Sequence, residues 1–142
     1  MAIKINTEKR IFTLETKHTM YQMQADTYGV LRHLWYAAKT GCDMSYLQDY
    51  PDVGFSGNPH DAGNDRTYSL DTLPLEYAGA GIGDFRVPAV EAVHADGSCA
   101  LDLRYYSHTV KQGKYAIAGL PALYAGEDES ETCLLYTSDA AD

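Results

Sequence analysis

Two adjacent segments, Arg10-Ile11-Phe12-Thr13-Leu14-Glu15-Thr16 and Thr19-Met20-Tyr21-Gln22-Met23-Gln24, decide the fold of this chain. In both segments large apolar residues alternate with polar ones, which is typical of strands that bury one face. Lys17-His18 lies between them and is short enough to form a turn. The two segments therefore predict an antiparallel pair of strands.

Segments outside this pair also predict strands. Residues 30–36 predict a third strand, although a helix would also gather their large apolar side chains on one face. Residues 89–94 and 99–108 predict two more strands, joined at Asp96-Gly97, a dipeptide typical of hairpin turns. The chain shows neither an internal repeat nor a linker, so we expect one all-β domain, an antiparallel β-sandwich.

The composition and net charge of the chain limit the classes of partner that it can bind. The chain has 142 residues, 45% of them hydrophobic, which is enough for one domain with a core. Its formal net charge of −9 argues against nucleic acid and anionic membranes, because both require a basic face. Three widely spaced cysteines fit a reducing cytoplasm better than a disulfide framework. Neither a signal peptide nor an apolar run of membrane-spanning length is visible.

The residues alone indicate no metal or cofactor site. The glycines of residues 79–83 lack the Lys-Ser/Thr pair of a phosphate loop, and the five histidines lack the spacing of metal ligands. One group of oxygen-bearing residues lacks the spacing of a calcium loop: Asn58, Asp61, Asn64 and Asp65. Glycoside hydrolysis needs two carboxyl groups at a fixed separation, and nothing in the sequence marks such a pair.

The most unusual segment is residues 54–77, GFSGNPHDAGNDRTYSLDTLPLEY. It is too rich in Gly, Pro, Asn and Asp to be a core element. It nevertheless carries large residues that normally rest on a surface: Arg66, Tyr68, Leu70, Leu73 and Tyr77. Ordering a long irregular loop costs conformational entropy, so we expect this one to form a site or an interface.

The same segment carries a family resemblance. The runs FSGNP at 55–59 and NDRTYSLDTLP at 64–74, followed by Glu76-Tyr77, resemble the amino-terminal domain of bacterial α-galactosidases of glycoside hydrolase family 36. The similarity extends over most of residues 8–132. It implies a supersandwich-like β-domain with a long irregular loop, followed by a (β/α)₈ barrel that carries both catalytic aspartates. The resemblance therefore assigns no catalytic residue to this chain.

The resemblance also implies a role for the loop. It implies that in tetrameric members the loop extends toward a neighbouring subunit's pocket, where the residues matching Asp52 and Arg66 help to shape the sugar site. A carboxylate accepts hydrogen bonds from sugar hydroxyls, and a guanidinium donates them in a fixed fork. The alternative is that Arg66 pairs with Asp65 or Asp71 and only pins the loop.

Three functions stay open at this point. The leading hypothesis is the amino-terminal domain of a cytoplasmic α-galactosidase acting on raffinose- or melibiose-type sugars, serving assembly and pocket shaping in a tetramer. The second is a free-standing carbohydrate-binding module whose tyrosines and Trp35 stack on sugar rings. The third is a structural domain whose loop meets a partner subunit.

The sequence CLLYTSDAAD at 133–142 can be encoded by the end of a transposon-based sequencing adapter. We therefore expect residues 1–132 to be an incomplete amino-terminal β-domain, truncated at its C-terminal end, and residues 133–142 to be translated adapter. The alternative is a genuine short tail. Residues 134–137 have good strand propensity whatever their origin, so we expect them to pair in a sheet.

Overall fold

The computed structural model describes residues 2–47, 62–115, 118–121 and 131–139. The strands are Ala2–Asn6 (β1), Ile11–Glu15 (β2), Thr19–Ala25 (β3), Leu31–Ala38 (β4), Leu103–Gln112 (β5) and Glu131–Asp139 (β6). A 3₁₀ turn lies at Ser45–Leu47. The regular secondary structure of the described residues is therefore almost entirely β, as predicted.

The first four strands form an antiparallel meander in the order β1-β2-β3-β4. β2 and β3 are the predicted pair, with Phe12 opposite Met23 and Leu14 opposite Tyr21. Directly opposed residues point to the same face, so these four side chains form one apolar surface. β4 pairs with β3, which makes it the predicted third strand and excludes the helical alternative.

A second, two-stranded antiparallel sheet of β5 and β6 covers this apolar surface. Phe12, Met23 and Ala25 are the buried centre of the layer between the sheets. The ring of Phe12 lies 5.6 Å from that of Tyr105 and 5.0 Å from that of His108. Residues from both sheets complete the layer: Ile5, Leu14, Tyr21, Leu31, Cys133 and Leu135. Two sheets that face each other across an apolar layer make the predicted sandwich.

β1 is an edge strand that the sequence patterns do not predict. Only Ile3 and Ile5 are half-buried, and the residues between and beside them are exposed. Two apolar positions are too few for a clear alternation, so pairing with β2 rather than local pattern establishes this strand.

The predicted strand pair at 89–94 and 99–108 is wrong in its first member and shifted in its second. The turn at Asp96-Gly97 does form, with the His94 amide donating to the Ser98 carbonyl at 2.9 Å. The residues on either side of it remain irregular, and β5 starts only at Leu103. Residues 68–70 and 84–87 are irregular as well.

Backbone contacts explain why the flanks of this turn do not pair with each other. The Ala89 amide donates to the Ala78 carbonyl at 3.0 Å, and the Leu101 amide donates to the Ala80 carbonyl at 2.9 Å. Both flanks of the turn therefore bond to the glycine-rich bend at residues 78–83, which precedes them in the chain. A Cβ added at Gly79 would lie 2.0 Å from the Leu101 carbonyl oxygen, so this close approach requires glycine.

Residues 134–137 lie in β6, where Leu134 pairs with Thr109 and Leu135 with His108. The expectation that they pair in a sheet is confirmed. Since strand propensity alone accounts for such pairing, the origin of residues 133–142 stays a prediction.

A buried carboxylate ties the segment after Ala62 to the meander. Tyr68 Oη donates to Asp26 Oδ2 at 2.6 Å, and the amides of Tyr28 and Val30 both donate to Asp26 Oδ1 at 2.9 Å. Burial, followed by the hydrogen bond to Asp26, raises the pKa of the Tyr68 hydroxyl, so it remains a donor. Around it, Val30, Ala62, Tyr68, Leu70 and Leu73 form a second buried apolar cluster.

We expect Tyr68→Phe to lower the free energy of unfolding by about 1–3 kcal/mol, because it removes a hydrogen bond to a buried carboxylate and retains the ring. Tyr106→Phe is the matched control, since the side chain of Tyr106 is 74% exposed. Urea unfolding followed by circular dichroism measures both variants. Equal midpoints for the two variants would show that the Asp26 contact contributes nothing.

Candidate functional site

The candidate site is the described part of the long loop, residues 62–77. Its second half runs along the free edge of β4, where Leu75 forms an antiparallel bridge with Arg32. The His33 amide donates to the Pro74 carbonyl at 2.7 Å, and the Glu76 amide donates to the Leu31 carbonyl at 3.0 Å. The loop thus uses the backbone groups that an edge strand leaves open, which fixes its path on the sheet.

The five anchors predicted from the sequence differ in burial, and Tyr77 is half-buried. Tyr68, Leu70 and Leu73 are buried, as expected of residues that hold the loop down. Arg66 is exposed and lies in a turn two residues before Tyr68. The buried ring of Tyr68 thus anchors a turn that holds Arg66 at the surface of the domain.

The turn around Arg66 is stabilised by its neighbour Asp65. The Asp65 Oδ1 atom accepts hydrogen bonds from the Thr67 amide at 3.0 Å and from Thr67 Oγ1 at 2.6 Å. These bonds hold the pKa of Asp65 below its ordinary value. A short polar side chain that bonds the backbone two residues ahead is a common way to fix such a turn.

Of the two predicted site residues, Arg66 is described and Asp52 lies outside the described residues. The placement of Asp52 beside Arg66 therefore stays a prediction. Asp71, the other proposed partner of Arg66, accepts a hydrogen bond from Ser69 Oγ. The alternative in which Arg66 only pins the loop also stays open.

A cluster that the sequence analysis does not predict holds the C-terminal end of the loop. Glu76 accepts a hydrogen bond from Tyr21 Oη, and its Oε1 atom lies 3.2 Å from His33 Nδ1. The rings of Tyr21 and His33 meet edge to face at 5.1 Å. Burial, followed by the hydrogen bond to Glu76, raises the pKa of Tyr21. The three residues lie far apart in the chain, and only Glu76 belongs to a run quoted for the family resemblance.

A second unpredicted cluster supports the loop from behind. Arg86 Nη2 donates to the Leu70 carbonyl at 2.8 Å and to Asp84 Oδ2 at 2.8 Å. Asp84 also accepts from Arg86 Nε at 2.9 Å, so the pair is bidentate. The Arg86 hydrogen bonds hold the pKa of the buried Asp84 below its ordinary value.

The described residues show little other chemistry. Among them, no three His, Cys, Asp or Glu side chains converge as metal ligands. The thiols of Cys42, Cys99 and Cys133 are not in disulfides. Over the same part of the chain, no helix has the length and apolar character needed to cross a membrane.

The loop and its sandwich match a known family. A family profile described as the glycosyl hydrolase family 36 N-terminal domain covers residues 29–142. The chain belongs to this family. Its family 36 relatives include the bifunctional alpha-galactosidase/sucrose kinase AgaSK of Mediterraneibacter gnavus, which is 49% identical over 98% of this chain and 15% of the relative.

Solved family 36 structures show the same fold. The galactosidase domain of AgaSK superposes with a TM-score of 0.94 at 48% identity, over 99% of this chain and 20% of that structure. AgaA of Geobacillus stearothermophilus, solved as a variant in complex with raffinose, gives a TM-score of 0.83 at 37% identity over 92% of this chain and 18% of that structure. The chain therefore spans about a fifth or less of the family 36 proteins it matches.

The Asp84–Arg86 pair predicts an acid-sensitive loop. The folded pKa of Asp84 lies below the ordinary value of 3.8, so the pair stabilises the fold above about that pH. This stability is lost as the pH falls through the folded pKa. We expect Asp84→Asn to be less stable than the parent chain near neutral pH and to lose less stability between pH 4 and pH 2.

Urea unfolding at several pH values measures this dependence. Glu91→Gln is the control, because Glu91 is an exposed carboxylate outside the loop contacts. If Asp84→Asn and Glu91→Gln give parallel stability curves against pH, the Asp84–Arg86 pair does not stabilise the loop.

Proposed function

We propose that this chain is the amino-terminal domain of an α-galactosidase that hydrolyses terminal α-linked galactose from raffinose- or melibiose-type oligosaccharides. The membership in family 36 and the α-galactosidase activity named for its relatives support this activity. AgaA was solved in complex with raffinose and, in another variant, with stachyose, which supports the substrate class. The same proposal makes the whole enzyme a cytoplasmic homotetramer, and the thiols of Cys42 and Cys99, which are not in disulfides, agree with a reducing compartment.

Within that enzyme, the domain serves assembly and pocket shaping and supplies no catalytic carboxylate. One observation carries this role: Arg66 is exposed on a turn whose neighbours Tyr68, Leu70 and Leu73 are buried. An exposed arginine on a turn that buried residues hold in place suits recognition of sugar hydroxyls across a subunit boundary. The hydrogen-bond donor is then already positioned before the sugar binds. We place Asp52 beside it as the acceptor for the same sugar.

We expect Arg66→Ala to raise the KM for raffinose about tenfold or more with a smaller effect on kcat, since it removes a charged donor that contacts the bound sugar. The host is a chimaera in which residues 1–132 replace the matching segment of AgaSK, which is 49% identical. Steady-state hydrolysis of raffinose measures the effect. Arg66→Lys should recover part of it, because the charge remains and the fork is lost.

Lys114→Ala is the control, because it removes an exposed cation outside the loop. A lower melting temperature for Arg66→Ala with an unchanged KM would show that Arg66 only pins the loop. That result would overturn the pocket-shaping role and leave the family assignment intact.

A carbohydrate-binding module stays the second candidate, because several aromatic rings are exposed, among them Tyr36 at 68% and Tyr106 at 74%. The geometry of β4 argues against a carbohydrate-binding module. Trp35 and Tyr36 are adjacent in a strand, so they point to opposite faces and do not form one stacking platform.

We also propose that residues 1–132 are natural sequence and that residues 133–142 are translated adapter. The support is the coincidence of ten codons with an adapter end. Sequencing the source locus tests this. We expect the genomic codons to diverge from CLLYTSDAAD at position 133 and to continue into sequence typical of the barrel. Genomic DNA that encodes the same ten residues would refute the adapter origin.

A further inference from the structure

A groove of about 550 Å³ lies on the face of the meander opposite the sandwich core. Its floor is formed by alternate residues of β1, β2 and β3, including Lys4, Thr13 and Gln22. One wall is the segment that follows β4, including Cys42 and Asp43. The volume is within the range of small-molecule sites in proteins. None of the residues that line the groove belongs to the loop at 62–77.

The floor contains polar side chains that are buried. Thr13, Glu15 and Gln22 are 8%, 4% and 4% exposed. Glu15 is bonded by two ammonium groups, with Lys4 Nζ at 3.0 Å and Lys39 Nζ at 2.5 Å. The hydrogen bonds from Lys39 and then Lys4 hold the pKa of Glu15 below its ordinary value, so it is an anion at neutral pH. Buried polar groups with complete partners form a defined surface.

Gln22 fixes the wall to the floor. Its Nε2 atom donates to Thr13 Oγ1 and to the Cys42 carbonyl, both at 3.0 Å, and its Oε1 atom accepts from the Met44 amide at 3.0 Å. Lys9 Nζ adds a bond of 2.7 Å to Asp43 across the open end. The groove is therefore preformed, which lowers the entropic cost of binding a ligand.

The charges in and around the groove balance. Three ammonium groups, those of Lys4, Lys9 and Lys39, accompany three carboxylates, those of Glu8, Glu15 and Asp43. Phosphate ligands need a positive site, and metal ions need carboxylates that are not paired with lysines. A site of interleaved donors and acceptors without excess charge suits a neutral, polyhydroxylated ligand.

We propose that this groove binds a neutral oligosaccharide at a site separate from any catalytic pocket. Lys4 and Asn6, which are exposed at the groove, supply polar contacts for sugar hydroxyls. This proposal does not rest on the α-galactosidase function, because it uses only residues of this chain away from the loop.

Titration of the 142-residue chain with stachyose tests the proposal. The expected result is saturable binding by calorimetry, with amide shifts in the ¹H–¹⁵N spectrum confined to the groove, at Lys4, Asn6, Cys42 and Asp43. Lys4→Met and Asn6→Ala should each weaken binding about fivefold, the effect of losing one hydrogen bond. Lys114→Ala, an exposed cation elsewhere, should bind as the parent chain does.

The absence of binding, or shifts that map outside the groove, would overturn the proposal. If the chain aggregates, the AgaSK chimaera is titrated with stachyose while 1-deoxygalactonojirimycin, a ligand of AgaA in a solved complex, occupies the catalytic pocket. A remaining binding event that Lys4→Met weakens supports the groove. No remaining event means that the groove is closed by other parts of the enzyme, and the proposal fails. Loss of galactosidase activity in the chimaera bears only on the proposed function.

Discussion

The buried carboxylate of Asp26 is the contact on which the rest of the domain depends. Asp26 directly follows β3 and accepts hydrogen bonds from the amides of Tyr28 and Val30, so it shapes the turn into β4. The same side chain accepts the Tyr68 hydroxyl, which holds the long loop against the sheet. The turn also reaches the second sheet, because the Tyr105 amide donates to the Gly29 carbonyl at 2.7 Å. The turn that Asp26 shapes thus joins the meander, the loop and the strand pair.

Burying a carboxylate is unfavourable unless donors replace the water it loses. Asp26 has three hydrogen-bond donors and the guanidinium of Arg32 at 3.5 Å. A second arginine stabilises the turn from its other side, since Arg104 Nη1 donates to the Tyr28 carbonyl at 3.0 Å. The donors come from separate parts of the chain, so the carboxylate is compensated only when all of them are in place. This requirement links the order of the loop to the fold of the sheet.

The sequence predicts those parts of the molecule whose signal is local. β2 and β3 alternate strongly, and the buried residues of the loop stand out as large residues in a polar run. β1 has too few apolar positions, and Asp96-Gly97 predicts a turn correctly but not the partners of its flanks. Asp26 contacts Tyr68, and Glu76 contacts Tyr21. The two residues of each pair lie more than 40 positions apart in the chain. Spacing patterns carry no information about such contacts. Arg66 stands out as a large residue in the loop, but its proposed role rests on a family resemblance, and its position on an exposed turn requires the structure.

The two faces of the meander differ, because one packs against the second sheet and the other carries the polar groove. In a sandwich the outer face of a sheet is ordinarily solvated, with polar side chains that extend into water. Here Thr13, Glu15 and Gln22 are buried on that face, and each has its hydrogen bonds or ion pairs complete. An apolar floor would have covered the same area with less demand on geometry, because a buried polar group destabilises a fold when one partner is missing. Part of this polar floor is structural, because Gln22 bonds the backbone of Cys42 and Met44 and so holds the segment after β4 on the sheet. The exposed polar groups at its rim, such as Lys4 and Asn6, are the ones that the proposed ligand would use.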